Sequence, residues 1–314
     1  MNPLNSQKTT VDWLRFRAKE DPRDILEAIR PLYGDTDLAD AISFGPLQKG
    51  ILGFKQALPI MLADIPIGRI DSGGESQRDW SRVDLTGVGC EWMRDLSAIG
   101  AIEALKDSQI RRIDLALTTW DGEVTHDRVV QAHAAGRFIT RRPPVLRQIT
   151  SSDPRAGKTC YIGKREQSDK FMRCYEKGFE IAAKYASRSP GEIVGIDGKA
   201  LEDIYRCEVE FKAVGTDIPW EIIERRDQYF AGAYPFCADV LPGIEADILM
   251  RRPERAPQIG LKAALDNLRI QFGPTIYTAL HAYHGDWTTL CAKIIGDHHN
   301  QTLVEAGVLM VEHD

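Results

Sequence analysis

The stretch that decides the fold is Tyr205-Arg206-Cys207-Glu208-Val209-Glu210-Phe211-Lys212. Its side chains alternate between apolar and charged types, which is the period of a β-strand that buries one of its two faces. The charged members, among them Glu208 and Glu210, therefore share the face opposite the core. The pattern predicts a strand over Tyr205–Ala213 that carries two neighbouring carboxylates on its polar side.

Two other stretches repeat this alternation. Lys170–Lys177 places Tyr175 on one face between two cations, Arg173 and Lys177. A strand predicted around Asp114 directs that carboxylate away from its own apolar face. If the three strands pair in one sheet, a single polar face collects a tyrosine, several cations and three carboxylates.

Strand and helix patterns alternate along the rest of the chain. Further strands are predicted over Val11–Arg17, Gly53–Ala63, Pro66–Asp71, Trp80–Gly87, Ile110–Leu117, Val145–Thr150 and Lys158–Gly163. Helices are predicted over Pro22–Tyr33, Val124–Ala135, Gly178–Tyr185, Leu261–Phe272, Pro274–Tyr283 and Trp287–Ile295. Short connections rich in Gly, Pro and Asp favour antiparallel pairing. The predicted fold class is α+β, an antiparallel β-sheet with flanking helices and a helical C-terminal portion.

The segment 251–257 holds two prolines and four charged residues, which discourage both helix and strand pairing. We therefore expect one domain over residues 8–250 and a helical C-terminal extension over residues 258–314. Six widely spaced cysteines without a Cys-x-x-Cys pair predict reduced thiols in the core. No apolar run approaches the roughly 20 residues of a membrane helix. The chain also begins without a secretory signal pattern, so we expect a cytoplasmic protein.

The formal net charge of the chain is −6, but the charge is unevenly distributed. Residues 137–177 hold eleven Lys and Arg against four acids, which gives +7 locally and −13 elsewhere. A basic tract on an acidic body favours one directed contact surface for phosphates. The predicted DNA contacts are Arg137, Arg141, Arg142, Arg147, Lys158, Lys164, Arg165 and Lys170. A solvated surface run remains the alternative interpretation of such a cluster.

A tyrosine beside cations and carboxylates suits transesterification of a phosphodiester. Hard oxygen ligands select Mg²⁺ or Mn²⁺, which act as Lewis acids on phosphate oxygens. A free tyrosine has a pKa near ~10, so we expect nearby Arg or Lys to stabilise the phenolate of Tyr175. The alternative for each element is ordinary: an exposed tyrosine, and a solvated sheet face with cross-strand ion pairs.

The segment Thr159–Gly178, followed by the strand that begins at Tyr205, resembles the replication initiation factor family of filamentous phages and small rolling-circle plasmids. Weaker similarity extends over most of residues 10–295 and includes Leu85-Thr86-Gly87-Val88-Gly89-Cys90. The resemblance implies a rolling-circle initiator that nicks and rejoins one strand at an origin through a phosphotyrosine. It implies a nicking domain over 8–250.

Carried over residue by residue, the resemblance makes Tyr175 the nucleophile, supported by Lys177 and Arg173. It makes Asp114, Glu208 and Glu210 the metal-ligand candidates, without deciding which glutamate binds directly. Family members often carry a second acid soon after the strand aspartate. The position four residues after Asp114 is Thr118 here, so Asp121 is a possible replacement.

The expected partners are single-stranded or hairpin-extruded origin DNA, a host helicase because no ATPase motif is present, and a second copy of the chain in a homodimer. Two other functions fit parts of the pattern. A DNA-binding regulator of phage or plasmid replication could keep the fold without catalysis. A tyrosine recombinase fits less well because carboxylates would repel the scissile phosphate. The His-hydrophobic-His metal pair of many other nickases is absent from the sequence.

Overall fold

The computed structural model describes residues 7–34, 36–153, 155–166, 168–186, 195–249 and 261–305. The chain divides into two compact units, Met1–Arg251 and Arg252–Asp314. The predicted linker at 251–257 lies outside the described residues.

The first unit is built on an eleven-stranded antiparallel sheet. The strands are β1 Thr9–Ala18, β2 Ile42–Phe44, β3 Gln48–Lys49, β4 Gln56–Leu62, β5 Ile65–Ser72, β6 Ser81–Leu85, β7 Gln109–Thr119, β8 Leu146–Ile149, β9 Thr159–Ile162, β10 Lys170–Glu176 and β13 Tyr205–Lys212. They lie in the order β2-β4-β5-β6-β1-β7-β13-β10-β9-β8, and β3 pairs with β4. A separate hairpin joins β11 Gly195–Ile196 to β12 Lys199–Ala200. The three strands expected to share a face, β7, β13 and β10, are direct neighbours.

Helices accompany the sheet in this unit: α1 Pro22–Ile29, α2 Thr36–Asp40, α3 Gly87–Glu91, α4 Ile99–Glu103, α5 His126–Ala134, α6 Lys177–Ala186, α7 Arg226–Ala231 and α8 Pro235–Val240. Short 3-10 helices lie at Arg30–Tyr33, Glu75–Gln77, Leu96–Ala98, Leu201–Asp203 and Trp220–Ile223. One hydrophobic core joins apolar residues of several of these helices, such as Ile25 and Phe236, to one face of the strands, including Cys207 and Val209. The apolar side chains of the strands therefore face the core, as the alternation in the sequence predicts. The charged side chains lie on the opposite face, where a site can form.

The second unit contains α9 Leu261–Ala282, α10 Trp287–Ile294 and α11 Gln301–Glu305. The sequence predicts two helices separated near Pro274, but α9 continues through this proline. A proline removes one backbone hydrogen bond and disfavours a helix interior, yet the residues on both sides are helical here. Among the described residues, no helix is long and apolar enough to span a membrane. All six cysteines are free, and five of them are buried.

Candidate active site

The polar face is organised by the register of β7, β13 and β10. Glu210 lies directly opposite Asp114 of β7, and Glu208 lies opposite Arg173 of β10. Residues two apart on a strand share a face, so Tyr175 projects beside Arg173. The register thus gathers the expected tyrosine and all three expected carboxylates on one side of the sheet.

Tyr175 is the central contact of this face. Its hydroxyl donates a hydrogen bond of 2.8 Å to Oε1 of Glu208, and only 7% of the residue is exposed. The guanidinium carbon of Arg173 lies 4.5 Å from the centre of the tyrosine ring, and Nζ of Lys177 lies 5.6 Å from it. Both cations therefore face the ring, while a carboxylate holds the phenol oxygen.

The ionisation of Tyr175 differs from the sequence-based expectation. Burial raises the pKa of the phenol well above its ordinary value, and the nearby Glu208 carboxylate raises it further. Arg206 and Arg173 act in the opposite direction but do not outweigh these two causes. The expected stabilisation of the phenolate by arginine is therefore present, but burial and the Glu208 carboxylate outweigh it and favour the protonated phenol.

The three carboxylates are each bound by arginine. Arg112 donates to both oxygens of Asp114, at 2.8 and 2.5 Å, and reaches Glu210 at 2.9 Å. Arg165 adds a contact of 3.0 Å to Glu210. Arg173 donates to both oxygens of Glu208, at 2.9 and 3.0 Å. Buried carboxylates need such charge-assisted partners to stay ionised.

Burial raises the pKa of two of these acids, Asp114 and Glu208. It raises the pKa of Asp114 from 3.8 to about 6, against the opposing effect of Arg112, and the neighbouring glutamates raise it further. Burial is also the largest cause of the raised pKa of Glu208. Perturbed acids on one cleft surface are typical of functional sites, although structural ion pairs perturb pKa values as well.

A cavity of about 300 Å³ opens on this face. Its lining includes four carboxylates, Asp12, Asp114, Glu208 and Glu210, and three arginines, Arg112, Arg165 and Arg173. Their formal charges sum to −1. The chemistry of these donors suits Mg²⁺ or Mn²⁺, which prefer oxygen ligands. Within the described chain, however, no three His, Cys, Asp or Glu side chains are grouped closely enough to hold a metal ion.

Asp12 is a lining residue that the sequence analysis did not select. The pairing of β1 with β7 shifts register between Val11 and Trp13, so this strand contains a bulge. Asp12 and Trp13 both line the cavity as a result. Asp12 accepts a hydrogen bond of 2.8 Å from Arg206. The sequence signal of this bulge is a shift in the alternation of apolar residues. The apolar positions are 11 and 13 and then 14 and 16, so the alternation moves by one residue.

Two other expected positions lie elsewhere. Asp121 is in the loop after β7, where it is ion-paired with Lys199 and does not line the cavity. Thr118 instead accepts a hydrogen bond of 2.9 Å from Arg206. Lys177 belongs to the first turn of α6 rather than to β10, and its ammonium contacts Glu180 at 2.5 Å.

The predicted DNA contacts fall into distinct places. Arg141, Arg142, Arg147, Lys158, Lys164 and Arg165 are exposed, although Arg165 reaches Glu210. Arg137 is exposed but ion-paired with Asp239. Lys170 points to the helix side of the sheet, where its ammonium donates to the carbonyl of Ala233 at 2.6 Å. Strand parity explains this, because Lys170 shares a face with buried Met172 rather than with Tyr175.

A second cavity, of about 250 Å³, adjoins Tyr175 from the side of β9 and α6. It is lined by Arg155, Lys158 and Thr159 as well as by residues of the β10–α6 junction. Tyr175 lines this second cavity, and its hydroxyl contacts Glu208, which lines the first one.

Comparison with known proteins agrees with this arrangement. Residues 108–247 match the family model described as replication initiation factor. This segment contains β7, β10 and β13. The resemblance read from the sequence is thereby confirmed, over a shorter segment than the expected 10–295. No curated protein matched the chain.

The structure is similar to that of the rolling circle replication initiator protein from Geobacillus stearothermophilus. The TM-score is 0.50 at 19% sequence identity, and the match covers 80% of this chain and 88% of that chain. At this identity the likeness shows the fold. It confirms the predicted α+β class with an antiparallel sheet of the rolling-circle initiator type.

Proposed function

We propose that this protein initiates rolling-circle replication by nicking one strand of an origin, with Tyr175 as the nucleophile. The observation that carries the proposal is the 2.8 Å hydrogen bond from the Tyr175 hydroxyl to Glu208, on a sheet face that also holds Asp114 and Glu210. The family match over residues 108–247 supports it. The protein would act in the cytoplasm.

Glu208 has the contacts of a proton acceptor in this reaction. As the Tyr175 oxygen bonds to phosphorus, the phenol proton passes to Oε1 of Glu208. The bond from phosphorus to the 3′ oxygen breaks, and that oxygen takes a proton from solvent. The raised pKa of Glu208 makes it a stronger base than an exposed glutamate. Arg173 remains beside both groups and stabilises the charge that develops on the phosphate.

Asp114 and Glu210 would hold the divalent cation, since they lie opposite each other across β7 and β13. The bound Mg²⁺ or Mn²⁺ supplies Lewis-acid polarisation of a phosphate oxygen. Arg112, which contacts both carboxylates, would have to release at least one of them if they held a cation. We therefore propose different roles for the two glutamates: Glu210 would bind the metal and Glu208 would accept the tyrosine proton.

The exposed cations Arg141, Arg142, Arg147 and Lys164 would contact backbone phosphates. Single-stranded or hairpin-extruded DNA is the proposed substrate, because a sheet-borne tyrosine cannot easily reach a phosphate within an intact duplex. Unwinding would need a separate helicase. Resealing would occur when a 3′-hydroxyl attacks the phosphotyrosine and releases Tyr175. Termination would need a second nucleophile for a further nick, which the second copy in a homodimer could supply.

The test is formation of a covalent adduct with labelled origin DNA and Mn²⁺ that resists denaturation. The Tyr175→Phe variant should bind DNA but form no adduct. The Tyr185→Phe variant is the matched control, because Tyr185 is 54% exposed on α6. An adduct in the Tyr175→Phe variant would move the nucleophile to Tyr161 or Tyr234. Origin binding without cleavage under any divalent metal would instead indicate a DNA-binding regulator.

A further inference from the structure

The edge of the sheet beside the candidate active site carries an unusual set of side chains. Strand β8 ends the strand order, so one of its sides has no strand partner among the residues that the structure describes. Arg147 and Ile149 lie two residues apart and share a face of β8. Ile149 is 47% exposed, and Val145, just before the strand, is 59% exposed. Exposed apolar groups beside a cation at a sheet edge suit a ligand with flat apolar faces and negative charge.

The neighbouring strand adds aromatic rings. Tyr161 of β9 stacks on Phe171 of β10, with ring centres 5.7 Å apart and planes inclined by 25°. Phe171 is an apolar residue on the polar face of its strand, where it lines the same cavity as the carboxylates. Tyr161 lines this cavity too and is only partly buried. The two rings therefore form a platform that opens toward the acidic site.

The guanidinium of Arg147 also lies over the Tyr161 ring, with its central carbon 5.0 Å from the ring centre. Arg147 is exposed and has no carboxylate partner among the residues that the structure describes. In contrast, each of the three arginines that line the cavity forms an ion pair with a carboxylate: Arg112, Arg165 and Arg173. Arg147 can therefore leave the ring for a phosphate without breaking an ion pair.

An exposed cation–π contact is weaker than the stacking of a base on an aromatic side chain. Replacement of the Arg147 guanidinium by a base on the Tyr161 ring is thus favourable, and the displaced guanidinium gains a contact with a phosphate. The register places Tyr161 opposite both Arg147 and Arg173, with Glu208 on the next strand. Two strand spacings separate Tyr161 from Glu208, which is roughly 10 Å. A base on Tyr161 therefore belongs to a nucleotide close to the scissile phosphate.

We propose that Tyr161, backed by Phe171, binds an unpaired base of the cleaved strand, while Arg147 moves from the ring to a neighbouring phosphate. This inference rests on the proposed nicking function and specifies its substrate as single-stranded DNA held at the β8 edge. Stacking accepts any base, so the site selects for an unpaired strand rather than for a sequence.

The test measures binding of a single-stranded origin oligonucleotide in EDTA by fluorescence anisotropy. The Tyr161→Leu variant should bind about tenfold more weakly, whereas Tyr161→Phe should stay within about twofold because the ring is kept. Tyr185→Leu on α6 is the matched control and should bind like the wild type. A 2-aminopurine base placed next to the cleavage position should be quenched by the wild type and by Tyr161→Phe, but not by Tyr161→Leu.

Equal affinity and equal quenching in the wild type and Tyr161→Leu would overturn the inference. If Tyr161→Leu fails to fold, Arg147→Gln decides instead: it should weaken binding and reduce its salt dependence, and unchanged binding would refute the exchange. The adduct assay separates this result from the proposed function. If an adduct forms through Tyr175 but DNA binding does not depend on Tyr161, the stacking inference is refuted and the proposed nicking function is supported. If DNA binding depends on Tyr161 but no adduct forms with any metal, the stacking inference is supported and the proposed nicking function is refuted.

Discussion

The buried carboxyl of Asp114 makes folding of the metal-free protein pH-dependent. Its pKa rises from 3.8 to about 6 on folding, chiefly through burial. A carboxyl with a raised folded-state pKa contributes stability that is fully present below pH 3.8 and is lost as the pH rises through about 6. A difference of about two pKa units corresponds to roughly 3 kcal/mol. This value is an upper limit because the unfolded chain retains some structure.

The Asp114→Asn variant should lack this loss. Its free energy of unfolding, relative to the wild type, should increase by up to about 3 kcal/mol between pH 4 and pH 7. Urea unfolding in EDTA at four pH values measures the difference directly. The exposed Asp64 in the turn between β4 and β5 provides the control Asp64→Asn, whose curve should stay parallel to the wild type. Parallel curves for Asp114→Asn, or a change of opposite sign, would refute the electrostatic description of the site.

Metal addition extends the same experiment. Mn²⁺ should stabilise the wild type at pH 7 by RT ln(1 + [Mn²⁺]/Kd), because it binds only the folded site. The gain should shrink as the pH falls through about 6, since protonated Asp114 is a poor ligand. The Asp114→Asn variant should gain little at any pH. Equal stabilisation of both proteins by Mn²⁺ would place the metal elsewhere.

Three further predictions follow from single contacts. Glu208→Gln should slow adduct formation by about 100-fold or more at pH 7 in single-turnover assays, because the phenol proton loses its acceptor; a rate near that of the wild type would contradict this role. Lys170→Met should leave the affinity for single-stranded DNA within about twofold, because its ammonium faces Ala233, whereas Lys164→Ala should weaken binding and lower the salt slope by about one. Gly89→Ala should lower the free energy of unfolding by about 1–3 kcal/mol, measured by urea unfolding, because the added Cβ would come within 2.2 Å of a backbone oxygen of β5.

Period-two alternation was enough to predict the faces of β7, β10 and β13. The apolar residues of each strand are buried on one face, so a register slip by one residue would move the whole apolar set to the other face. That constraint is local and readable from sequence, and it put Asp114, Tyr175 and Glu208 on one surface. The pairing of these strands with one another could only be assumed from the sequence. The observed register shows that β13 pairs with both β7 and β10.

Features that depend on a break in period or on distant partners could not be read in the same way. The bulge in β1 turns Asp12 toward the cavity, and strict alternation gives no rule for that position. The end of β10 at Glu176 moves Lys177 into a helix, because strand and helix boundaries depend on tertiary context. The contact between Tyr175 and Glu208 joins residues 33 apart, so the high pKa of the phenol has no local signal.

The arginines of the site explain how such an acidic cluster can exist in a protein that binds DNA. Three carboxylates buried without partners would be costly, and each is instead held by a guanidinium. The same guanidinium fork binds phosphate in a bidentate manner. If a DNA phosphate and a divalent cation entered the proposed site together, Arg112 and Arg165 could turn to the phosphate while Asp114 and Glu210 bound the cation, and Arg173 would stay beside Glu208. Each carboxylate would then keep a positively charged partner before and after binding, so the proposed site could form without metal or DNA and would already contain the groups that the proposed reaction needs.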